Sequence, residues 1–130
     1  MKEILVPVSP AELLDKITIL RIKVARIQEA GKLANVKLEL SLLEQTWKES
    51  GGAAHDVALA ERALQSVNER LWDIEDRIRD KEARQTFDRD FIELARAVYV
   101  CNDERAELKR RINAQLGSRL VEEKSYRPYR

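Results

Sequence analysis

Between Val57 and Ile78, apolar residues return at alternating intervals of three and four: Val57, Ala60, Leu64, Val67, Leu71, Ile74 and Ile78. A strand presents every second residue on one face and cannot hold such a series together, whereas a helix lines all seven into one seam. The seam continues for three heptads without a miss, as in coiled coils, and it needs at least one more helix to cover it.

The rest of the chain supplies candidates. "SPAE" at 9 to 12 reads as a helix start, with Ser9 as cap, Pro10 in the first turn and Glu12 placed for a capping box. Leu13, Ile17, Leu20, Val24 and Ile27 follow at helical spacing, and Gly31 reads as the left-handed stop. Ile19, Ile22 and Ala25 widen the apolar face, so this first helix is expected to be covered on two sides. A second stripe, Leu33, Val36, Leu40, Leu43 and Trp47, runs to the turn signal "SGG" without a clear cap at its start. The seam helix begins near Asp56. A fourth helix follows "TFDRD", with Phe91, Leu94, Val98, Cys101, Arg105, Leu108 and Ile112 inward and Lys109, Arg110 and Arg111 complementing its carbonyl end.

Short connections make consecutive helices antiparallel neighbours. The expected fold is therefore all-α, an antiparallel up-down four-helix bundle or a set of long helical hairpins, in a single domain 1–130. At ~1.5 Å per residue the third and fourth helices reach about 40 Å against about 30 Å for the first, so their shared turn near Gln85 is expected to project. Residues 1–8, with "KEILVPVS", look like a short extended strand, and 118–130 read as an extended, frayed tail. Both ends emerge at one pole. With 36% charged residues and only four Gly and three Pro, the composition fits long solvated helices. Aromatic residues at 5% argue against an all-β fold and against a base-stacking platform. The formal net charge of +1 provides no broad field for nucleic acid or anionic lipid. A single cysteine excludes an intrachain disulfide and suits a reducing compartment, and no apolar window spans a bilayer, so a soluble, unprocessed, cytoplasmic protein is expected.

Polar residues are also driven inward. Asn68, Trp72, Glu75 and Arg79 form a stripe beside the seam, and antiparallel pairing about Thr86 brings Asn68 level with Arg105 and Glu75 level with Val98 to Asn102. Arg105 stands in a seam position, where an unpaired guanidinium costs several kcal/mol, so it needs an acceptor from among Asn68, Glu75, Asp103 and Asp15. The candidate interhelical cluster is Asn68, Trp72, Glu75, Arg79, Asn102, Arg105 and Asp15. It serves either as a polar lock that fixes helix register or as a pocket for an anionic metabolite, whose carboxylate or phosphate the arginines would take bidentately. His55 reads as a loop residue, Cys101 as a small core hydrophobe and "ELKRRIN" as a solvated basic face. No phosphate loop or nucleophile elbow is present, and no catalytic residue, metal or cofactor is expected.

"ILVPVSPAELLDKITIL", "VNERLWDIEDRIRD", "NDERAELKRRIN" and "LVEEKSYRPY" together resemble, end to end, a family of small bacterial proteins of unknown function. That resemblance implies a single-domain bacterial protein and brings no site residue with it. "LLDKITILRIKVARI" followed by "GKLANVKLELSLLE" is loosely similar to the all-helical chorismate mutases, which implies Arg21, Lys32 and Glu39 as candidates for holding a dicarboxylate. The separate downstream arginine of that family and its acid neighbour are not recognisable. The expectation is a non-catalytic bundle working through protein contacts, as a homodimer, with the small-molecule binder or enzyme as the alternative.

Overall fold

The Ser9 hydroxyl accepts the Glu12 N–H at 3.1 Å and Pro10 occupies the first turn behind it, so the helix starts at Ser9 and Pro10 as read, but Glu12 closes no capping box because its carboxylate is taken by Lys109 at 2.7 Å. A computed structural model describes residues 1–130. It contains four helices, α1 (Pro10–Arg26), α2 (Ala30–Glu49), α3 (Ala58–Ala83) and α4 (Arg89–Gln115), with one 3-10 turn at Gly52–Ala54 and no strand. The fold is all-α.

α3 and α4 form the long hairpin. At its turn Gln85 adopts a positive φ of 52°, the Asp88 carboxylate caps α4 by accepting the Phe91 N–H at 3.0 Å, and Phe87 meets Phe91 edge to face at 5.1 Å. α1 lies in the groove of this hairpin, antiparallel to α4, with Ala11 and Leu14 joining Val57, Leu64, Val67, Ile74, Leu94, Cys101 and Ile112 in one apolar cluster. Arg26 near the end of α1 pairs with Asp73 of α3, so the Gln85 turn projects beyond α1 as expected.

α1 stops earlier than its pattern suggests. Ile27 is already extended (φ −78°, ψ 130°), and Gly31 is no stop but part of the first turn of α2. The cap that sequence reasoning could not find there is Glu29, whose carboxylate accepts the Gly31 and Lys32 N–H groups at 2.8 and 3.0 Å. Glutamate is not among the usual caps, but a negative charge there also complements the helix dipole.

α2 packs mainly on the far side of α1, and it buries no residue completely. Leu33, Val36, Leu40, Leu43 and Trp47 are half-buried, while Leu38 and Leu42 on the opposite side are 64% and 48% exposed. The core is therefore built by three helices, with the fourth as a flank. Arg21 ties the flank in: its Nη1 donates to Glu61 of α3 at 2.6 Å and its Nε lies 3.6 Å from Glu44 of α2. At the end of α2 the chain reverses through Gly51 (φ +82°) and passes Gly52 under the Trp47 indole, where a Cβ would sit 2.5 Å from the ring.

The N-terminal segment and the C-terminal tail leave the bundle at one pole, where the Ala11 N–H donates to Asn113 Oδ1 at 3.0 Å. Residues 1–8 are exposed and form no strand or helix. The tail departs from the frayed expectation. It runs back along α4: Glu122 lies against Lys109 at 3.2 Å, Lys124 donates to Asp103 at 3.0 Å, and Tyr129 meets Tyr99 at 4.9 Å.

Candidate functional site

Asp15 is the centre of the polar cluster, because α1 turns it toward both α3 and α4. Its Oδ1 accepts from Asn68 Nδ2 and from Arg105 Nε, each at 2.9 Å, while Oδ2 accepts from Arg105 Nη2. Thr18, one turn along, accepts the other Asn68 N–H at 3.0 Å and donates to the Asp15 carbonyl at 2.8 Å. The Asp15 side chain is 1% exposed and that of Arg105 30%. The hydrogen bond to Asp15 raises the Arg105 guanidinium above its ordinary value although burial pulls it down. Of the four acceptors open to Arg105 on sequence grounds, the fold selects Asp15, and the second carboxylate nearby, Asp103, is engaged by Lys124 instead.

One turn further along α4 stands a residue that sequence reasoning misassigned. Lys109 does not belong to a solvated basic face with Arg110 and Arg111: it is buried, with its ammonium 2.7 Å from Glu12 and 3.2 Å from Glu122. Burial pulls Lys109 down, but the hydrogen bond to Glu12 and the surrounding carboxylates outweigh it and leave the ammonium above its ordinary value. The signal was present in the spacing, since Lys109 follows Arg105 by four residues and so shares its face.

Beside this network a cleft of about 500 Å³ opens between α1, α3 and α4. Asn68, Trp72, Glu75, Arg79, Asn102 and Arg105 line it, together with Ile19, Ile22, Leu71 and Asp76. Six of the seven candidate residues thus face one space, and the seventh, Asp15, lies behind Arg105 and Asn68 as their acceptor. Asn68 uses both amide hydrogens on Asp15 and Thr18, which leaves its carbonyl oxygen to the cleft. Glu75 and Arg79 are exposed and paired with each other at 3.2 Å, and the Arg26 guanidinium lies 5.9 Å from the Trp72 ring centre. A second, smaller cleft shares Asn102 and Arg105 and is closed on its far side by Glu122, Lys124 and Tyr126 of the tail.

The other candidates do not converge. Lys32 and Glu39 are exposed on α2, Arg21 is held by Glu44 and Glu61, and none of the three lines the cleft. Cys101 packs in the core cluster, where burial pushes its thiol above the ordinary value against an opposing pull from Arg70. His55 is exposed after the 3-10 turn, and no group of three or more His, Cys, Asp or Glu side chains converges to hold a metal ion. No helix is long and apolar enough to cross a membrane.

The tail contact carries a pH prediction. The hydrogen bond from Lys124, with the Tyr129 hydroxyl adding to it, holds the Asp103 carboxyl below its ordinary 3.8. A carboxyl depressed in the folded state contributes stability above its unfolded value and loses it as pH falls through the folded one. Proteolysis of residues 118–130 is therefore expected to stay slow down to the ordinary carboxylate range and to accelerate only below it. In Asp103→Asn the tail should be cut faster already at neutral pH, and an unchanged rate there would contradict the assignment.

A family model described as a family of unknown function (DUF6165) matches residues 4–129. No curated protein and no solved structure matches the chain.

Proposed function

Since the chain belongs to this family of unknown function, we propose a role drawn from its surface: a non-catalytic helical module that works through protein contacts, first of all with a second copy of itself. The observation that carries this is the outer face of α2. Gly31, Asn35, Leu38, Leu42, Gln45 and Glu49 repeat at four, three, four, three and four on the side turned away from α1, a second seam with nothing packed on it. Its pattern is self-complementary. An antiparallel second copy centred near residue 40 sets Leu38 on the partner's Leu42, Asn35 on the partner's Gln45 and Lys37 level with the partner's Glu44. Ile4, Leu5 and Val6 of the N-terminal segment add further exposed apolar surface.

Light scattering at micromolar concentration is expected to give twice the chain mass for the unmodified protein and the single-chain mass for Leu38→Glu. Because Leu38 is exposed within one chain, that substitution should leave the fold of the separated chain within about 0.5 kcal/mol of the original. A single-chain mass for the unmodified protein removes this proposal.

A second reading rests on the cleft, where α3 and α4 bring seven polar or aromatic side chains, and α1 two isoleucines, around one space of small-ligand size. On that reading the protein also binds a small molecule.

A further inference from the structure

We infer that the cleft between α1, α3 and α4 takes an uncharged polyhydroxylated ligand, a saccharide unit, rather than an anion; this rests on the cleft reading given above. Charge is the first reason. Every cation around the cleft already has its own carboxylate: Arg105 has Asp15, Arg79 has Glu75 and Arg26 has Asp73. Asp76 then leaves the lining with a surplus of negative charge. An incoming carboxylate or phosphate therefore meets no uncompensated cation: Arg105 offers only an N–H beside a charge that Asp15 already balances, and drawing the guanidinium away would strand a carboxylate that is 1% exposed.

What remains free in the cleft is hydrogen-bonding capacity of both signs. The Asn68 carbonyl oxygen accepts, the Asn102 amide accepts and donates, the Trp72 indole N–H donates, and Arg105 retains Nη1 after committing Nε and Nη2 to Asp15. Neighbouring hydroxyl groups, each both donor and acceptor, match such a set, and an anion, which only accepts, does not. The lining also carries apolar surface. Ile19, Ile22 and Leu71 with the Trp72 ring suit the C–H face of a sugar ring, and the space of about 500 Å³ holds one or two such units.

The test is a titration of the ¹⁵N-labelled full chain, followed through the side-chain N–H signals of Asn68, Asn102 and Trp72. The Trp47 indole, at the far end of α2 against Gly52, serves as the internal control. One panel contains neutral mono- and disaccharides (glucose, galactose, mannose, rhamnose, N-acetylglucosamine, lactose); the other contains citrate, inorganic phosphate and adenosine monophosphate. The expected result is a saturable shift of the three cleft signals with at least one neutral saccharide, insensitive to salt, while Trp47 stays still. Trp72→Ala and Asn102→Ala should each weaken that binding about tenfold at unchanged melting temperature, the worth of one such contact. Should Trp72→Ala unfold the chain, Asn102→Ala, a half-buried surface change, carries the test alone. Cleft shifts produced by the anions alone overturn the saccharide assignment and leave the cleft reading standing. Cleft signals unmoved by either panel overturn both.

Discussion

Arg105→Ala is expected to lower the unfolding free energy by about 3–5 kcal/mol, the usual loss when one member of a buried ion pair is removed. The size of the loss comes from the partner left behind. Asp15 cannot turn to water, because only 1% of its side chain is exposed, and after the substitution Asn68 is the sole side chain that still donates to it. The reverse deletion should cost less. Arg105 is 30% exposed, so in Asp15→Asn the guanidinium can move outward into the cleft, and the loss should fall to about 1–2 kcal/mol. Removing both charges together, Asp15→Leu with Arg105→Met, should recover most of the stability lost in Arg105→Ala, since apolar replacement of a whole buried pair is often neutral. Urea melts of the three variants measure the series. Unchanged midpoints for Arg105→Ala would mean that the pair does not lock the helices and that its arginine serves the cleft alone.

Leu14→Ala should cost about 2–5 kcal/mol, because its side chain is fully enclosed between α1 and the α3–α4 hairpin and leaves a cavity that rigid helices cannot close. The matched change on the other helix, Leu40→Ala, removes a half-buried side chain from the contact between α2 and α1 and should cost about 1 kcal/mol. Thermal or urea unfolding of the two variants compares the inner and outer interfaces of α1 directly. Equal losses would show that α2 is held as firmly as the hairpin, against the half-buried character of its inner face.

The cap at Ser9 and Pro10 was legible because its chemistry is local, and the seam of α3 because each residue in it repeats the same statement. Counting residues on either side of the Thr86 turn was enough to bring Asn68 level with Arg105, and the rule that a buried guanidinium needs an acceptor reduced its partners to four. Three features lay beyond such reasoning. Periodicity reports which side of a helix is apolar and not how deeply it is covered, so α2 read like its neighbours although it buries nothing completely. Lys109 looked like part of a basic run because its burial depends on Glu12, 97 residues earlier, and on Glu122 in the tail. The docking of Tyr129 on Tyr99 likewise joins two segments whose local sequences give no sign of each other.

The Asp15–Arg105 pair spans 90 residues, and that distance has a consequence during synthesis. At ~5–20 residues per second, α1 leaves the ribosome about 5–18 s before the arginine that will neutralise its aspartate exists. In that interval Ala11 and Leu14 have no hairpin to enter, and the only element available to pack on α1 is the next one made, α2. A helix that covers α1 loosely, through half-buried side chains, can form a provisional hairpin with it at once and then yield as α3 and α4 arrive. The shallow packing of α2 thus suits a nursing role in the nascent chain: it protects α1 early and leaves its other face free afterwards.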